Sequence, residues 1–161
     1  VRQISIIPSG RALGYTLTPP TEDKYSESKQ EMKERIAMML GGRVAEQIVF
    51  GDYTGGASND IMRATEVARK MVTRYGMSEN VGVINYDSDD DEVFIGRDLA
   101  HAKSHSELVA SKIDEEVKTI IDDCYKKAKD IIIENKDVLE SCAQLLLEKE
   151  KITREEFEAL F

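Results

Sequence analysis

The chain has 161 residues, with 22 Lys and Arg against 31 Asp and Glu, so its formal net charge is −9. This length suits one domain with a real hydrophobic core, and the acidic balance argues against binding to nucleic acid or to an anionic lipid surface. No segment approaches the ~18 consecutive apolar residues of a membrane span, and the first residues do not resemble a signal peptide, so we expect this polypeptide itself to be soluble.

The N-terminal segment predicts a short β-hairpin. Residues Gln3 to Ile7 have β-branched character, Pro8-Ser9-Gly10 has the composition of a turn, and residues 13–17 alternate again. Pro19-Pro20 then ends the hairpin. We therefore expect a small β element before the first helix.

Two amphipathic helices follow the hairpin. Ser26 or Ser28 is suited to cap the first, which continues through Gly41-Gly42. Glycine inside a helix costs ~1 kcal/mol relative to alanine, so this pair suggests the close approach of another backbone. Gly76 is placed to end the second helix. The predicted apolar faces are Met32, Ile36, Met39, Leu40, Val44, Ala45, Ile48 and Val49 in the first helix, and Ile61, Ala64, Val67, Ala68, Met71, Val72 and Tyr75 in the second.

A less regular segment separates these helices from the C-terminal part. Residues Val81 to Tyr86 predict a strand, and the acidic run from Asp87 to Glu92 predicts a solvated loop. Ser104 followed by Glu107 has capping-box spacing, which opens a helix of about seven turns if it continues to Glu134.

Another amphipathic helix and a short last one complete the chain. Thr153 with Glu156 has the spacing to cap the last helix. Cys124 and Cys142 occupy apolar helical positions outside any CxxC pair, so we interpret both as reduced core thiols in a cytosolic compartment. The prediction is a mainly α fold, a helical bundle with a small N-terminal β-hairpin, forming a single domain over residues 1–161.

The segment Thr54-Gly55-Gly56-Ala57-Ser58-Asn59-Asp60 is a polar turn that delivers a carboxylate to the start of the second helix. In a purely structural interpretation, Ser58 caps this helix and Asp60 is stabilised by the helix dipole. In a functional one, the turn aims Asp60 into a cleft as a metal ligand. Catalytic zinc takes three protein ligands and a water, so one aspartate does not hold zinc alone.

His101 and His105 lie four positions apart in the sequence, as do the two histidines of H-E-x-x-H metalloproteases. Here the residue after the first histidine is Ala102, in the place of the glutamate that acts as general base. The predicted cap at Ser104 also places a helix start between the two histidines, so we expect solvated side chains rather than a metal pair.

Glu46 lies on the first helix beside residues small enough to allow close packing. A buried carboxylate needs partners, and orienting a metal-bound histidine would supply one. An exposed helix acid, or an intrahelical pair with Arg43, explains Glu46 equally well. The sequence leaves these alternatives open.

Several motifs occur together in an order that resembles one family over essentially the whole chain. The resemblance is to the peptidase domain of FtsH, the membrane-anchored, ATP-dependent AAA+ zinc metalloprotease of bacteria and their organelle descendants. The motifs that carry it are Ile4-Ser5-Ile6-Ile7-Pro8, Gly14-Tyr15, Leu40-Gly41-Gly42-Arg43-Val44-Ala45-Glu46, Thr54 to Asp60, Tyr75-Gly76-Met77-Ser78, Ile113-Asp114-Glu115-Glu116-Val117 and the tail from Ile152 to Phe161.

The resemblance implies a zinc ion held by both histidines of an H-E-x-x-H helix and by Asp60 as third ligand. It also implies supporting roles around the metal for Asn59 and Glu46. No H-E-x-x-H occurs in the 161 residues, and in this family that helix precedes the hairpin, so we expect it upstream of Val1. The chain alone is then expected to be inactive.

With that helix present, the resemblance implies peptide hydrolysis in which zinc polarises the scissile carbonyl and activates water, while the motif glutamate takes the proton. The hairpin edge at Gly14, Tyr15 and Thr16 is a candidate for aligning an extended substrate by strand addition. The parent protein is expected to be a homohexamer that degrades misfolded or regulatory proteins at the cytoplasmic face of the bacterial membrane. Its ATP and Mg²⁺ sites, and its membrane anchor, belong to parts outside this chain.

Two other classes of function remain as alternatives. One is a non-catalytic helical module for oligomerisation or partner docking, suggested by the long apolar stripes of the last helices. The other is a small metal-binding domain that uses His101 and His105.

Overall fold

The computed structural model describes residues 1–20, 25–87 and 105–161. These residues form mainly helices, together with one small antiparallel sheet, which confirms the predicted fold class. The elements are β1 (Gln3–Ser5), β2 (Tyr15–Leu17), α1 (Lys29–Phe50), a 3-10 turn (Gly55–Ala57), α2 (Ser58–Thr73), α3 (Glu107–Glu134), α4 (Lys136–Lys149), β3 (Lys151–Thr153) and α5 (Arg154–Glu158).

The chain divides into two compact units. The first, here called the sheet unit, combines Val1–Ser26 with Ile131–Phe161, and the second, the helical unit, is Glu27–Asp130. The assignment of one domain to residues 1–161 stays a prediction. Among the described residues, no helix has the length and apolar character needed to cross a bilayer.

The sheet unit is built on three short antiparallel strands in the order β2-β1-β3. Ile4 in the central strand lies opposite Thr16 on one side and Ile152 on the other. Ile152 is fully buried, whereas all three residues of β2 are exposed. The predicted hairpin of β1 and β2 is therefore confirmed, and the third strand, which the sequence did not reveal, gives it a partner on the opposite side.

The hairpin needs glycine at two positions for different reasons. At its tip, Ser9 and Ala12 exchange backbone hydrogen bonds of 2.9 and 3.0 Å, and Gly10 between them has a φ of +61°. Gly14 lies so close to β1 that a Cβ atom there would stand 2.7 Å from the carbonyl oxygen of Ser5. A side chain at residue 14 would therefore push the two strands apart.

In the helical unit, α1 begins with the predicted cap at Ser28. The Ser28 hydroxyl accepts the amide of Glu31 at 3.2 Å, and the Glu31 carboxylate accepts the amide of Ser28 at 2.8 Å. The helix runs unbroken through Gly41 and Gly42, as predicted. The close backbone approach expected there was wrong: in the described part of the chain, a Cβ at either glycine would meet no atom within 4 Å.

The core of the helical unit lies where the apolar faces of α1, α2 and α3 are buried. Helix α2 ends at Thr73, and Gly76, with a φ of +59°, turns the chain away. Helix α3 runs unbroken to Glu134 as predicted. Near its start, the Ser106 hydroxyl accepts the Val109 amide at 3.3 Å. The predicted cap residue Ser104 lies outside the described residues. The buried apolar side chains are Met32, Ile36, Ala37, Met39, Leu40 and Val44 of α1, Ala64, Ala68, Met71 and Val72 of α2, and Ile113, Val117, Ile120, Cys124 and Ala128 of α3.

The predicted strand from Val81 to Tyr86 was wrong. Gly82 has a φ of +89°, and Val83 is 91% exposed, so this segment makes no strand pairing. The Tyr86 amide instead donates to the carbonyl oxygen of Thr73 at 2.7 Å. β-branched composition favours a strand only where a partner strand is available.

A polar cluster joins the start of this segment to α3. The Ser78 hydroxyl and the Asn80 amide donate to the two carboxylate oxygens of Glu116 at 2.8 and 2.6 Å. These hydrogen bonds, that of Asn80 first, lower the pKa of Glu116 because they stabilise its charged form.

Both cysteines are free and buried, Cys124 in α3 and Cys142 in α4. Burial raises the pKa of each thiol because it disfavours the thiolate. The interpretation of both as core thiols is confirmed.

Candidate metal-ligand turn

The turn that carries Asp60 begins where α1 ends. Gly51 has a φ of +67°, and its amide donates to the Gln47 carbonyl oxygen at 2.9 Å, which closes the helix with a left-handed residue. The chain then reverses, so Thr54 returns to the side of α1 that carries Glu46. Glycine suits residue 51 because a residue with a Cβ is strained at this φ.

Thr54 is bound by the carboxylate of Glu46 at two points. The Thr54 amide donates to Oε2 of Glu46 at 2.8 Å, and the Thr54 hydroxyl donates to Oε1 at 3.1 Å. The same hydroxyl accepts the amide of Gly56 at 3.2 Å and thereby caps the 3-10 turn. Glu46 is only partly exposed, and its carboxylate is occupied by this clamp.

Arg43, one helical turn before Glu46, binds the other side of the same segment. Its Nη2 atom donates to the Thr54 carbonyl oxygen at 3.3 Å, and its guanidinium lies 4.4 Å from the centre of the Tyr53 ring. A stacked, hydrogen-bonded guanidinium holds residues 53 and 54 together against α1. The intrahelical pair of Arg43 and Glu46 that the sequence allowed is not formed in the described part of the chain. Both side chains bind Thr54 instead.

Asp60 lies in the first turn of α2 and is partly exposed. Among the described residues, no hydrogen bond or ion pair uses its carboxylate. The predicted cap at Ser58 was wrong, because Ser58 already has helical backbone angles and the cap position is Ala57, which offers no side-chain hydrogen bond. Asn59, the other candidate beside the metal, is exposed.

The described residues contain one candidate zinc ligand, Asp60, and not a complete set of ligands. No three His, Cys, Asp or Glu side chains among them come together in a way that could hold a metal ion. Carboxylate oxygen is a suitable zinc ligand, so Asp60, partly exposed and unpaired among the described residues, could occupy one of the three protein-ligand positions of a catalytic zinc site. His101 lies outside the described residues, and the His105 ring packs edge-on against Tyr86 with centroids 5.5 Å apart.

The structure places the candidate substrate residues in the sheet unit. Tyr15 and Thr16 belong to β2, Gly14 immediately precedes it, and the tyrosine hydroxyl accepts a hydrogen bond of 2.5 Å from Gln3. Because the sheet order is β2-β1-β3, β2 is an edge strand within the described part of the chain. The predicted edge is therefore present in the fold, while its role with substrate stays a prediction.

Sequence reasoning missed the importance of Thr54 and Arg43, although both were within motifs that it singled out. The clamp depends on the left-handed residue Gly51, which brings residue 54 back to residue 46. The sequence signal for this clamp is the spacing of three residues: Gly51 follows the helical Glu46 by five positions, and Thr54 follows Gly51 by three.

Comparison with known proteins identifies the family of the chain. Residues 1–160 match the model of Peptidase family M41, and the chain belongs to that family. It is 52% identical over 161 residues to ATP-dependent zinc metalloprotease FtsH 1 of Thermoanaerobacter sp. (strain X514), covering all of this chain and 26% of that protein.

Other relatives show the same coverage. The chain is 52% identical over 160 residues to ATP-dependent zinc metalloprotease FtsH of Caldicellulosiruptor bescii, covering 99% of this chain, and 51% identical over 157 residues to the protein of that name from Thermotoga maritima, covering 97%. In each case it spans about a quarter of the relative, 26% of its length.

Proposed function

We propose that this chain is the proteolytic part of an ATP-dependent zinc metalloendopeptidase. Membership of Peptidase family M41 and the names of the relatives support this activity. Zinc, when bound, supplies a Lewis acid that polarises a carbonyl group and lowers the pKa of a bound water. The protein substrates of the whole enzyme, and the ATP and Mg²⁺ that it uses, belong to the same proposal.

The observation that carries the proposal is the contrast between two carboxylates near the turn. Glu46 has both oxygens occupied by Thr54, whereas Asp60 has no partner in the described part of the chain. A carboxylate without a protein partner is available to a cation. We therefore assign Asp60 as the zinc ligand of this chain, with two histidine ligands and the general base supplied by an H-E-x-x-H segment elsewhere in the longer protein.

Glu46 and Asn59 are proposed to support the metal site without binding the metal. For Asn59, exposure beside Asp60 allows contact with a neighbouring ligand. For Glu46, the observed bonds to Thr54 support an action on the shape of the turn. Contact of Glu46 with an imidazole stays a prediction from the resemblance.

We also propose that the edge of β2 binds the extended substrate by strand addition. Antiparallel strands alternate between hydrogen-bonded and non-hydrogen-bonded pairs. The Ile6 amide donates to the Glu150 carbonyl oxygen at 2.9 Å, so the backbone groups of Ile6 point towards β3. The Ile4–Ile152 pair lies two residues away in the same register, so the backbone groups of Ile4 point towards β3 as well. Ser5 then faces β2, and Thr16, opposite Ile4, directs its backbone N–H and C=O away from the sheet.

The whole protein is proposed to be a homohexamer in which an AAA+ ATPase feeds misfolded or regulatory proteins to this part. A membrane anchor outside this chain, and a position at the cytoplasmic face of the bacterial membrane, are part of the same proposal. The share of each relative that the chain covers, 26%, leaves room for these further parts.

The direct test compares the full-length protein with its Asp60→Asn variant. Bound zinc and the hydrolysis of an unfolded protein such as casein are measured on both. We expect the variant to lose zinc and activity, while the folding stability of the metal-free protein changes little, because the carboxylate has no partner among the described residues. Full zinc occupancy and activity in the variant would refute the assignment of Asp60, and a parent protein without zinc or proteolysis would favour the non-catalytic helical module.

A further inference from the structure

We propose that Thr54 is the positioning residue for the Asp60 carboxylate, and that Glu46 acts on the site through Thr54. This inference rests on the proposed function, because it matters for catalysis only if Asp60 is a metal ligand. It assigns Thr54 a role at the site and gives Glu46 an effect on Asp60 that is transmitted through Thr54.

Three different atoms of Thr54 are held at once. Its amide and hydroxyl bind the two oxygens of Glu46, and its carbonyl oxygen accepts a hydrogen bond from Arg43. A hydroxyl has one proton to donate and lone pairs that accept. Since that proton goes to Glu46, the Thr54 oxygen is oriented with a lone pair available for the amide of Gly56.

The hydroxyl bond fixes the path of the chain into α2. Gly56 lies in the 3-10 turn, and the Ser58 amide donates to the carbonyl oxygen of Gly55, so the turn passes directly into the helix. Asp60 follows in the first turn of α2 and makes no bond of its own among the described residues. The position of its carboxylate is therefore set by the backbone, which the buried face of α2 holds on one side and Thr54 holds at the turn.

The spacing at the two glycines of the turn supports the same inference. A Cβ atom at Gly56 would stand 3.3 Å from the Thr54 hydroxyl oxygen and 3.7 Å from Oε1 of Glu46, whereas a Cβ at Gly55 would meet nothing within 4 Å of the described residues. To make room for such a group, the hydroxyl must shift by a few tenths of an ångström, which strains its hydrogen bonds to Glu46 and Gly56. Gly56→Ala therefore disturbs the clamp, and Gly55→Ala is a matched control with the same change in composition.

The test uses the full-length protein with Thr54→Val and Thr54→Ser. Valine keeps the branched shape and removes the hydroxyl, whereas serine keeps the hydroxyl. We expect Thr54→Val to weaken zinc binding by ~10–100-fold, measured by competition with a chelator, as is typical when a residue behind a metal ligand is lost. The substrate KM should stay unchanged while kcat falls, and Thr54→Ser should restore both zinc affinity and kcat.

Amide exchange gives a readout that does not depend on catalysis. In the metal-free protein, Thr54→Val and Gly56→Ala should both accelerate exchange of the amide at residue 56, and Gly55→Ala should not. Parental zinc affinity in Thr54→Val, or a serine variant as impaired as the valine variant, would overturn the inference. If the full-length protein has neither zinc nor proteolysis, the proposed function fails. If Asp60→Asn also keeps its zinc, the assignment of Asp60 fails; if only Thr54→Val keeps it, the positioning role fails alone.

Discussion

The helical unit and the sheet unit differ in the kind of polar group that lacks a hydrogen-bond partner among the described residues. Around the turn of the helical unit, the polar groups of Thr54 are all occupied, whereas the Asp60 carboxylate has no partner among the residues that the structure describes. In the sheet unit, β2 and β3 are both edge strands among the described residues, and the backbone of β2 is the edge proposed to bind substrate. A carboxylate suits a cation and a strand edge suits an extended polypeptide, so each of these groups matches the ligand that we propose for it.

The largest expected effect comes from the core of the sheet unit. Ile152→Ala removes a side chain that is 0% exposed, so we expect a loss of ~2–5 kcal/mol in the free energy of unfolding, measured by urea denaturation. The control, Ile133→Ala, changes the same residue type in the same unit at a position that is 52% exposed, and should cost less than ~1 kcal/mol. Similar losses in the two variants would show that β3 does not anchor this unit.

A smaller effect is expected at the strand edge. Thr16→Pro removes a backbone N–H that points away from the sheet, so the fold tolerates it while strand addition loses a hydrogen bond and meets the proline ring. We expect KM for an unfolded protein substrate to rise ~10-fold, the equivalent of ~1.4 kcal/mol, in the full-length protein. Thr16→Val keeps the N–H and is the matched control. An unchanged KM in the proline variant would exclude β2 as the substrate edge.

The smallest effect concerns the pH dependence of the helical unit. Hydrogen bonds from Asn80 and Ser78 lower the pKa of Glu116 below its usual value of 4.5. The folded-state pKa is depressed, so this contribution to stability is fully present above pH 4.5 and is lost as the pH falls through the lower folded-state value. Glu116→Gln should therefore be less stable than the parent at neutral pH and approach it in acid.

The control for this comparison is Glu115→Gln, the exposed neighbour on the same helix. Its carboxylate makes no hydrogen bond within the described residues, so this variant should not show the loss of stability that we expect of Glu116→Gln. The stability of each variant is measured by thermal unfolding between about pH 3 and 7. Equal profiles for the parent and Glu116→Gln would show that the hydrogen bonds of Glu116 do not contribute to stability.

The helices were predictable because their signals are local. Ser28 and Glu31 form a capping box within four residues, and the period of the apolar residues extends through Gly41-Gly42. Thr153 and Glu156 likewise mark the start of α5. Such features need no knowledge of distant parts of the chain.

The misses all depend on partners distant in the sequence or on the exact path of a turn. Strand β3 is three residues long and is a strand only because it pairs with β1, about 150 residues earlier. The segment from Val81 to Tyr86 has strand composition and no partner strand. In the candidate site, the position of Asp60 was predictable from its motif, but the clamp on Thr54 requires the reversal at Gly51, which sequence patterns do not describe in three dimensions.

The reversal at Gly51 also has a kinetic consequence. Glu46 and Thr54 are separated by eight residues, so closing the loop between them costs little chain entropy, and loops of this size form in ~10–100 ns. We expect the turn that carries Asp60 to form as soon as the end of α1 is helical, without waiting for the slow search that brings β3 to β1. The part of the chain that presents the carboxylate is thus prepared early in folding, and the sheet that offers the strand edge is completed last.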